Sequence, residues 1–557
     1  MMNKAKFFLP LLGLLGLLRP AAAQLLQPKA AAFTRADSLR GSLTAPLRTC
    51  YDLNYYHLDV RLDPAKRFIS GSNLFRFTAT RDFTRLQFDL FANLQVEKVL
   101  YRTEELAFTR EANAVFVTFP QAIAAGSHDE FTVYYSGNPI IAKKAPWDGG
   151  MVFTQDAAGQ PWVATACQGA GASIWWPTKD QQADEVDSML ISISVPSGLK
   201  DVSNGRLRKT TKLKDGYTRF DWAVRSPINN YDVALNVGNF QHFSDLYQGE
   251  KGSLTLDYWV LPENLAKAKI QFAANVKPML KSMESWFGPY PFYQDGYKLV
   301  DAPHLGMEHQ SAVAYGNHYQ NGYLGKDRSN TGWGLKWDFI IIHESGHEWF
   351  GNSITTKDIA DMWVHESFTT YSEALFVESQ FGKPAGQEYI HGQRRNIAND
   401  EPIIGPYGVN KEGSGDMYDK GSNLLNMLRT ILNDDAKWRQ LLRGLSSTFY
   451  HQTVTGQQVI DYFNRESGRD FTKIFDQYLR HRNLPTLEIR FEDGKTLARW
   501  VADVDKFDMP VRVRLKGGEY QFIMLTTKFT VIKELAGATR ETLEIDTFNY
   551  YIGVLVD

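Results

Sequence analysis

The sequence predicts an α+β multidomain protein, with a β-rich N-terminal domain, a mainly helical central domain and a small C-terminal β-sandwich. Three observations lead there. The chain has 557 residues, more than a single hydrophobic core organises. Its apolar residues alternate with period two to about residue 245, take a helical period after about Leu261, and alternate again beyond Pro485. Its composition, 43% hydrophobic and 22% charged, is that of an ordinary globular protein.

The elements follow in order. Lys4 and Lys6, the apolar run Phe7 to Leu18 and the small residues Ala21-Ala22-Ala23 read as a secretory leader over 1–23. The expected location is therefore outside the cytoplasm, periplasmic or secreted. The leader's apolar run falls short of the ~20 residues that span a bilayer, and stable membrane insertion is not expected. Residues 24–45 are polar and read as a flexible segment. Runs such as Tyr56/Leu58/Val60/Leu62, Phe131/Val133/Tyr135, Leu190 to Val195 and Val233/Leu235/Val237 then mark a β domain over 46–245. Residues 246–485 form the central domain, with helices expected over Ala266 to Phe287, Asp419 to Leu432, Gly456 to Glu466 and Phe471 to Arg480. Alternation in Leu487/Ile489/Phe491, Val511/Val513/Leu515 and Leu543/Ile545 gives the sandwich, 486–557. The formal net charge of -2 gives no basis for a nucleic-acid partner. Cys50 and Cys167 are the only cysteines, so disulfides are not the framework; whether these two pair is left open.

The chemistry is concentrated in His343-Glu344-Ser345-Gly346-His347, followed by Glu366 within Trp363-Val364-His365-Glu366-Ser367-Phe368. Residues four apart on a helix share a face, so His343 and His347 aim their imidazoles at one point. Two His and one carboxylate form the ligand set of hydrolytic zinc sites, and Glu344 stands where it takes a proton from a zinc-activated water. Ile340, Ile341 and Ile342 before the motif and Trp349 and Phe350 after it predict a buried helix, and buried His and Glu need partners. Glu366 opens a second helical pattern through Phe368, Tyr371, Ala374 and Leu375, ending near Gly382. Packed against the first helix, it would bring its carboxylate to the metal.

These residues resemble the gluzincin family of zinc aminopeptidases that includes aminopeptidase N and leukotriene hydrolase/aminopeptidase. The resemblance rests on the zinc motif with its third ligand after eighteen residues, on Gly306-Met307-Glu308-His309-Gln310, similar to a G-x-M-E-N exopeptidase motif, and on Tyr418-Asp419-Lys420-Gly421, similar to Y-E-K-G. Phe287-Gly288-Pro289-Tyr290-Pro291-Phe292 and Cys167-Gln168 upstream of Trp176-Pro177 add to it. It implies a saddle-like β domain, a thermolysin-like catalytic domain and a β-sandwich, in a three-domain form without the helical C-terminal cap of many relatives. It also implies one zinc per chain on His343, His347 and Glu366, Glu344 as general base, and Tyr418 donating to the oxyanion. Glu308 and Gln168, with Gly306 and Met307, would receive a peptide by its free N-terminus. His309 and His365 depart from the family pattern, which usually has Asn at both positions. Asp361 is a further expectation, as a residue orienting a ligand His.

Two other readings compete. A thermolysin-like endopeptidase shares the metal motif, but it must accept uncharged backbone where Glu308 would stand unpaired. A non-catalytic binding protein would not require ligands, base and Tyr418 together. Nothing specific favours an added epoxide-hydrolase activity. Oligomeric state and the preferred N-terminal residue are not legible.

Overall fold

The computed structural model describes residues 33–557. The leader expected over 1–23 lies outside the described residues, as do 24–32. The flexible segment expected over 24–45 needs correction where it is described: Arg35–Gly41 is a helix, capped by Thr34 and Asp37 in a reciprocal capping box. Tertiary contacts add to that local signal. Leu39 and Arg40 are buried, Arg40 pairs with Asp180 at 3.3 Å, and the Asn410 amide donates to the Asp37 carbonyl.

The N-terminal domain is built on an eight-stranded sheet. Tyr51–Asp63 lies at its centre, antiparallel to Phe68–Ala79 and parallel to Ser188–Pro196. Alternate residues along the first of these, Tyr56, Leu58, Val60 and Leu62, are all buried, as the period of two requires. A four-stranded sheet beside it includes Pro161–Ala166, whose end leads into Cys167 and Gln168. Cys50 and Cys167 are both buried and unpaired.

The boundary expected at 245/246 falls inside a strand. Gln241–Gly249 pairs with Gly252–Val260, and both belong to a five-stranded sheet with Tyr297–Asp301, Val313–Tyr315 and Gly306–Met307. The central region is therefore α+β, because its short strands are buried on both faces and lack the alternation that marks a strand in sequence. Its helices follow expectation closely. Leu265–Phe287 ends at Gly288, Trp363–Phe381 ends at Gly382, and Asp419–Leu432, Gly456–Ser467 and Thr472–Arg480 follow. No described helix is long and apolar enough to cross a membrane.

After Pro485, a four-stranded and a three-stranded sheet face each other. Their inner residues, among them Leu487, Ile489, Trp500, Val511 and Val513, are continuous with the core of the central region. The sandwich therefore buttresses the helices by sharing one apolar interior with them.

Candidate active site

The helix Phe339–Gly346 carries the first half of the site and every one of its residues is buried. Asp338 caps it, and the same carboxylate accepts from Tyr315 Oη (2.6 Å) and Asn317 Nδ2 (2.8 Å). Helix and sheet are thus locked together just ahead of His343. Trp363–Phe381 packs across it and delivers Glu366. His343 Nε2 and His347 Nε2 lie 3.7 and 3.4 Å from Glu366 Oε2. Zinc bonds of about 2.0–2.1 Å in a tetrahedral set give ligand-to-ligand edges of about 3.4 Å, so the three atoms stand where one ion would join them.

The surroundings fit that ion. Glu366 Oε2 is buried without a hydrogen-bond donor. His343 Nδ1 lies 2.7 Å from Glu373 Oε1, and His347 Nδ1 lies 2.9 Å from the Phe350 carbonyl oxygen. Each ring thereby has an acceptor on its far side and turns Nε2 to the common point. Burial works against a charged imidazole at both positions. Even so, Glu366 and Glu373 raise the His343 pKa to about 10, and Glu366 and Glu308 raise that of His347 to about 9. A pocket that draws protons onto two buried imidazoles stabilises positive charge, which a divalent cation supplies in their place. A second convergence among the described residues, Glu308, Glu344 and His347 within 4.8 Å of one another, shares His347. It has one imidazole and two carboxylates, against the two-imidazole set common in hydrolytic zinc sites.

The other expected residues gather on the same cavity, of about 910 Å³, lined by Gln168, Gly306, Met307, Glu308, Glu344 and Tyr418 together with the three ligands. Glu308 is buried with Oε1 unpartnered, and burial pushes its carboxyl up to about 7. Gln168 Nε2 donates to Glu366 Oε1 at 2.9 Å. A carboxylate accepts only, so the amide nitrogen faces it and the Gln168 carbonyl oxygen is left as an acceptor. Burial also raises the Glu344 carboxyl, which His343 and His347 oppose. The Tyr418 ring lies over His343, with centroids 6.1 Å apart, and burial keeps its phenol protonated as a donor.

Two glycines are required by close approach. Gly306–Met307 is the outermost strand of its sheet, and a Cβ on Gly306 would stand 2.7 Å from Glu344 Oε1 and 2.9 Å from Ile340 Cγ2. The strand edge thus passes directly over the expected base. A Cβ on Gly421 would fall 1.8 Å from Ser367 Oγ; its absence lets the helix after Tyr418 press onto the helix of Glu366.

Three details differ from or extend the sequence reading. Asp361 touches no ligand His: it accepts from Tyr407 Oη (2.7 Å) and the Gly456 amide (2.8 Å), tying the Tyr407 loop to the start of the helix Gly456–Ser467. Glu373 is the residue the sequence reading missed, and its other oxygen accepts from Tyr389 Oη and Gln393 Nε2. Its position seven residues after Glu366, two turns along one face, was the available signal. His365, in place of Asn, accepts from the Thr356 amide at 2.8 Å and stays neutral, its pKa pushed by burial to about 3.

Fold and site together present a buried His-His-Glu constellation of the kind that holds a zinc ion. Residues 272–478 match the Peptidase family M1 domain. Aminopeptidase B of Mus musculus is 23% identical over 459 residues, which is 74% of this chain and 66% of the relative. Aminopeptidase N of Lactobacillus helveticus is 28% identical over 308 residues, 50% of this chain and 34% of the relative. The chain thus spans from a third to about two thirds of these two relatives. The M1 zinc metallopeptidase from Deinococcus radiodurans superposes with a TM-score of 0.64 at 22% identity, covering 78% of this chain and 94% of that one. A variant of that enzyme, bound to a Tyr-Ser-Ala substrate, matches equally well.

Proposed function

We propose that the protein is a zinc-dependent aminopeptidase that removes the N-terminal residue of peptides. The observation that carries this reading is the buried, unpartnered Glu308 carboxylate beside the metal-ligand triad. An isolated buried carboxylate is costly, and a substrate ammonium offsets that cost. The Gln168 carbonyl oxygen is a second acceptor for the same ammonium. Zinc, held by His343, His347 and Glu366, supplies Lewis acidity and activates water when bound. Glu344 takes the proton of the attacking water and returns it to the leaving amine, a transfer helped by burial, which raises its carboxyl pKa. Tyr418 donates its hydroxyl proton in a hydrogen bond to the oxyanion, adding no charge of its own. The outer edge of Gly306–Met307 holds the substrate backbone extended, as an added strand. The leader-like opening supports an exported protein, which fractionation of expressing cells tests.

The decisive experiment is a panel of aminoacyl anilides, free and N-acetylated, with and without chelator. Free substrates should be cleaved, acetylated ones should not, and activity should vanish with chelation and return with zinc. Equal cleavage of acetylated peptides, or early internal fragments in a peptide digest, would move the protein to the endopeptidase class. No cleavage with bound zinc would favour a binding role.

A further inference from the structure

We infer that Arg328 binds the free carboxylate of short peptides, so that the cleft reads both ends of a small substrate. This rests on the aminopeptidase reading and extends it to a substrate class. The cavity has a direction. Glu308 and Glu344 gather around His347, which sets the substrate amine on that side of the ligand triad. Away from it, Phe339 stacks on His343 with centroids 5.2 Å apart, and the Arg328 guanidinium lies 5.3 Å from the Phe339 centroid. With the amine held at Glu308 and the scissile carbonyl at the triad, the leaving part of the peptide runs toward Arg328.

Reach and charge agree with this. The guanidinium stands no more than about 11 Å from the His343 ring, and at ~3.3–3.6 Å per extended residue that span holds at most about three residues, the length of a short peptide's leaving part. Outside the metal-ligand set, the cavity lining carries the carboxylates Asp148, Glu308, Glu344, Glu401 and Glu412, against Arg328 and Lys411 as cationic side chains. A peptide carboxylate entering there is repelled except where a cation meets it. Arg328 has one side-chain hydrogen bond among the described residues, Nη2 to Asp419 Oδ2 at 2.8 Å. A guanidinium has five N–H donors, so most remain for a ligand and can grip a carboxylate in a fork. Asp419 opens the helix Asp419–Leu432, where the N-terminus favours a carboxylate, but it is buried, Arg328 is the donor to its Oδ2 and its Oδ1 is unpartnered, so a variant of Arg328 alone leaves it with an uncompensated desolvation cost.

The test compares tri-alanine as free acid and as C-terminal amide, with alanine p-nitroanilide as a substrate that has no carboxylate. The natural protein should show a KM at least tenfold lower for the acid than for the amide. In Arg328→Gln the two KM values should converge, with kcat and anilide turnover within about threefold of the natural protein, and Arg328→Lys should restore part of the preference. The double variant Arg328→Gln/Asp419→Asn removes the ion pair as a unit and should behave like Arg328→Gln, which separates the effect from a lone buried Asp419. Equal KM for acid and amide in the natural protein, or a parallel loss on all three substrates in both variants, overturns the inference. Failure to cleave even the anilide overturns the aminopeptidase reading and this inference with it.

Discussion

Glu373 offers the sharpest check on how the metal site is supported. Its two oxygens serve three buried donors: His343 Nδ1 at 2.7 Å, Tyr389 Oη at 2.7 Å and Gln393 Nε2 at 2.9 Å. Glu373→Ala leaves all three without an acceptor in a fully buried place. Unsatisfied buried donors cost about 1–3 kcal/mol each, partly relieved by water entering the vacated space, so a net loss on the order of 3 kcal/mol is expected. The metal effect is separate. Partners that orient a ligand His are worth tenfold to a hundredfold in affinity, so the zinc Kd should rise by that factor. Glu373→Gln keeps one acceptor oxygen for His343, and the Tyr389 hydroxyl can turn to accept from the new amide. Its stability loss should be smaller and its zinc affinity within about tenfold of the natural protein. Competition with a fluorescent chelator measures the affinity, and thermal unfolding of the zinc-free protein measures the stability. If Glu373→Ala holds zinc as tightly as the natural protein, the reasoning that this carboxylate fixes His343 fails.

Three further outcomes are expected. Glu344→Gln should keep zinc and lose most turnover, whereas Glu366→Ala should weaken zinc itself; equal metal loss in both would mean the base and ligand roles are misassigned. Tyr418→Phe should lower kcat by about 10² to 10³ with little change in KM, as for other single oxyanion donors, and an unchanged kcat would remove it from the mechanism. His309 is fully buried with both ring nitrogens unpartnered, and burial, helped by nearby His304, depresses its pKa to about 3. The unfolded chain takes up this proton below about pH 6.5 while the folded chain does not, so the stability present above that pH is lost as pH falls toward the folded value. His309→Asn should therefore gain on the natural protein during acidification, by about 3 kcal/mol at pH 4; parallel unfolding curves from pH 7 to pH 4 would contradict this.

What the sequence by itself determined is what local geometry encodes. The turn of an α-helix holds His343 above His347 whatever else the chain does, and the caps and stops at Gly288 and Gly382 end helices where they stand. Period-two alternation likewise exposed the strands that are buried on one face. Tyr297–Asp301 is buried on both faces and carries no such period, which is why it was passed over, while Gln241–Gly249 is a largely exposed edge strand whose sequence does not say which sheet it joins. Other features belong to packing alone. Gln168 meets Glu366 across 198 residues of sequence, Gly306 is glycine because Glu344 lies beneath it, and Arg328 lines the cleft held between the Phe339 ring and Asp419. Asp361 shows the same limit from the other side, since nearness in sequence to a metal ligand placed it in the site while its own hydrogen bonds tie it to Tyr407 and Gly456. Periodicity reports which face of one element is buried, but which residues of two distant elements touch is set by how the elements pack, and only the folded chain fixes that.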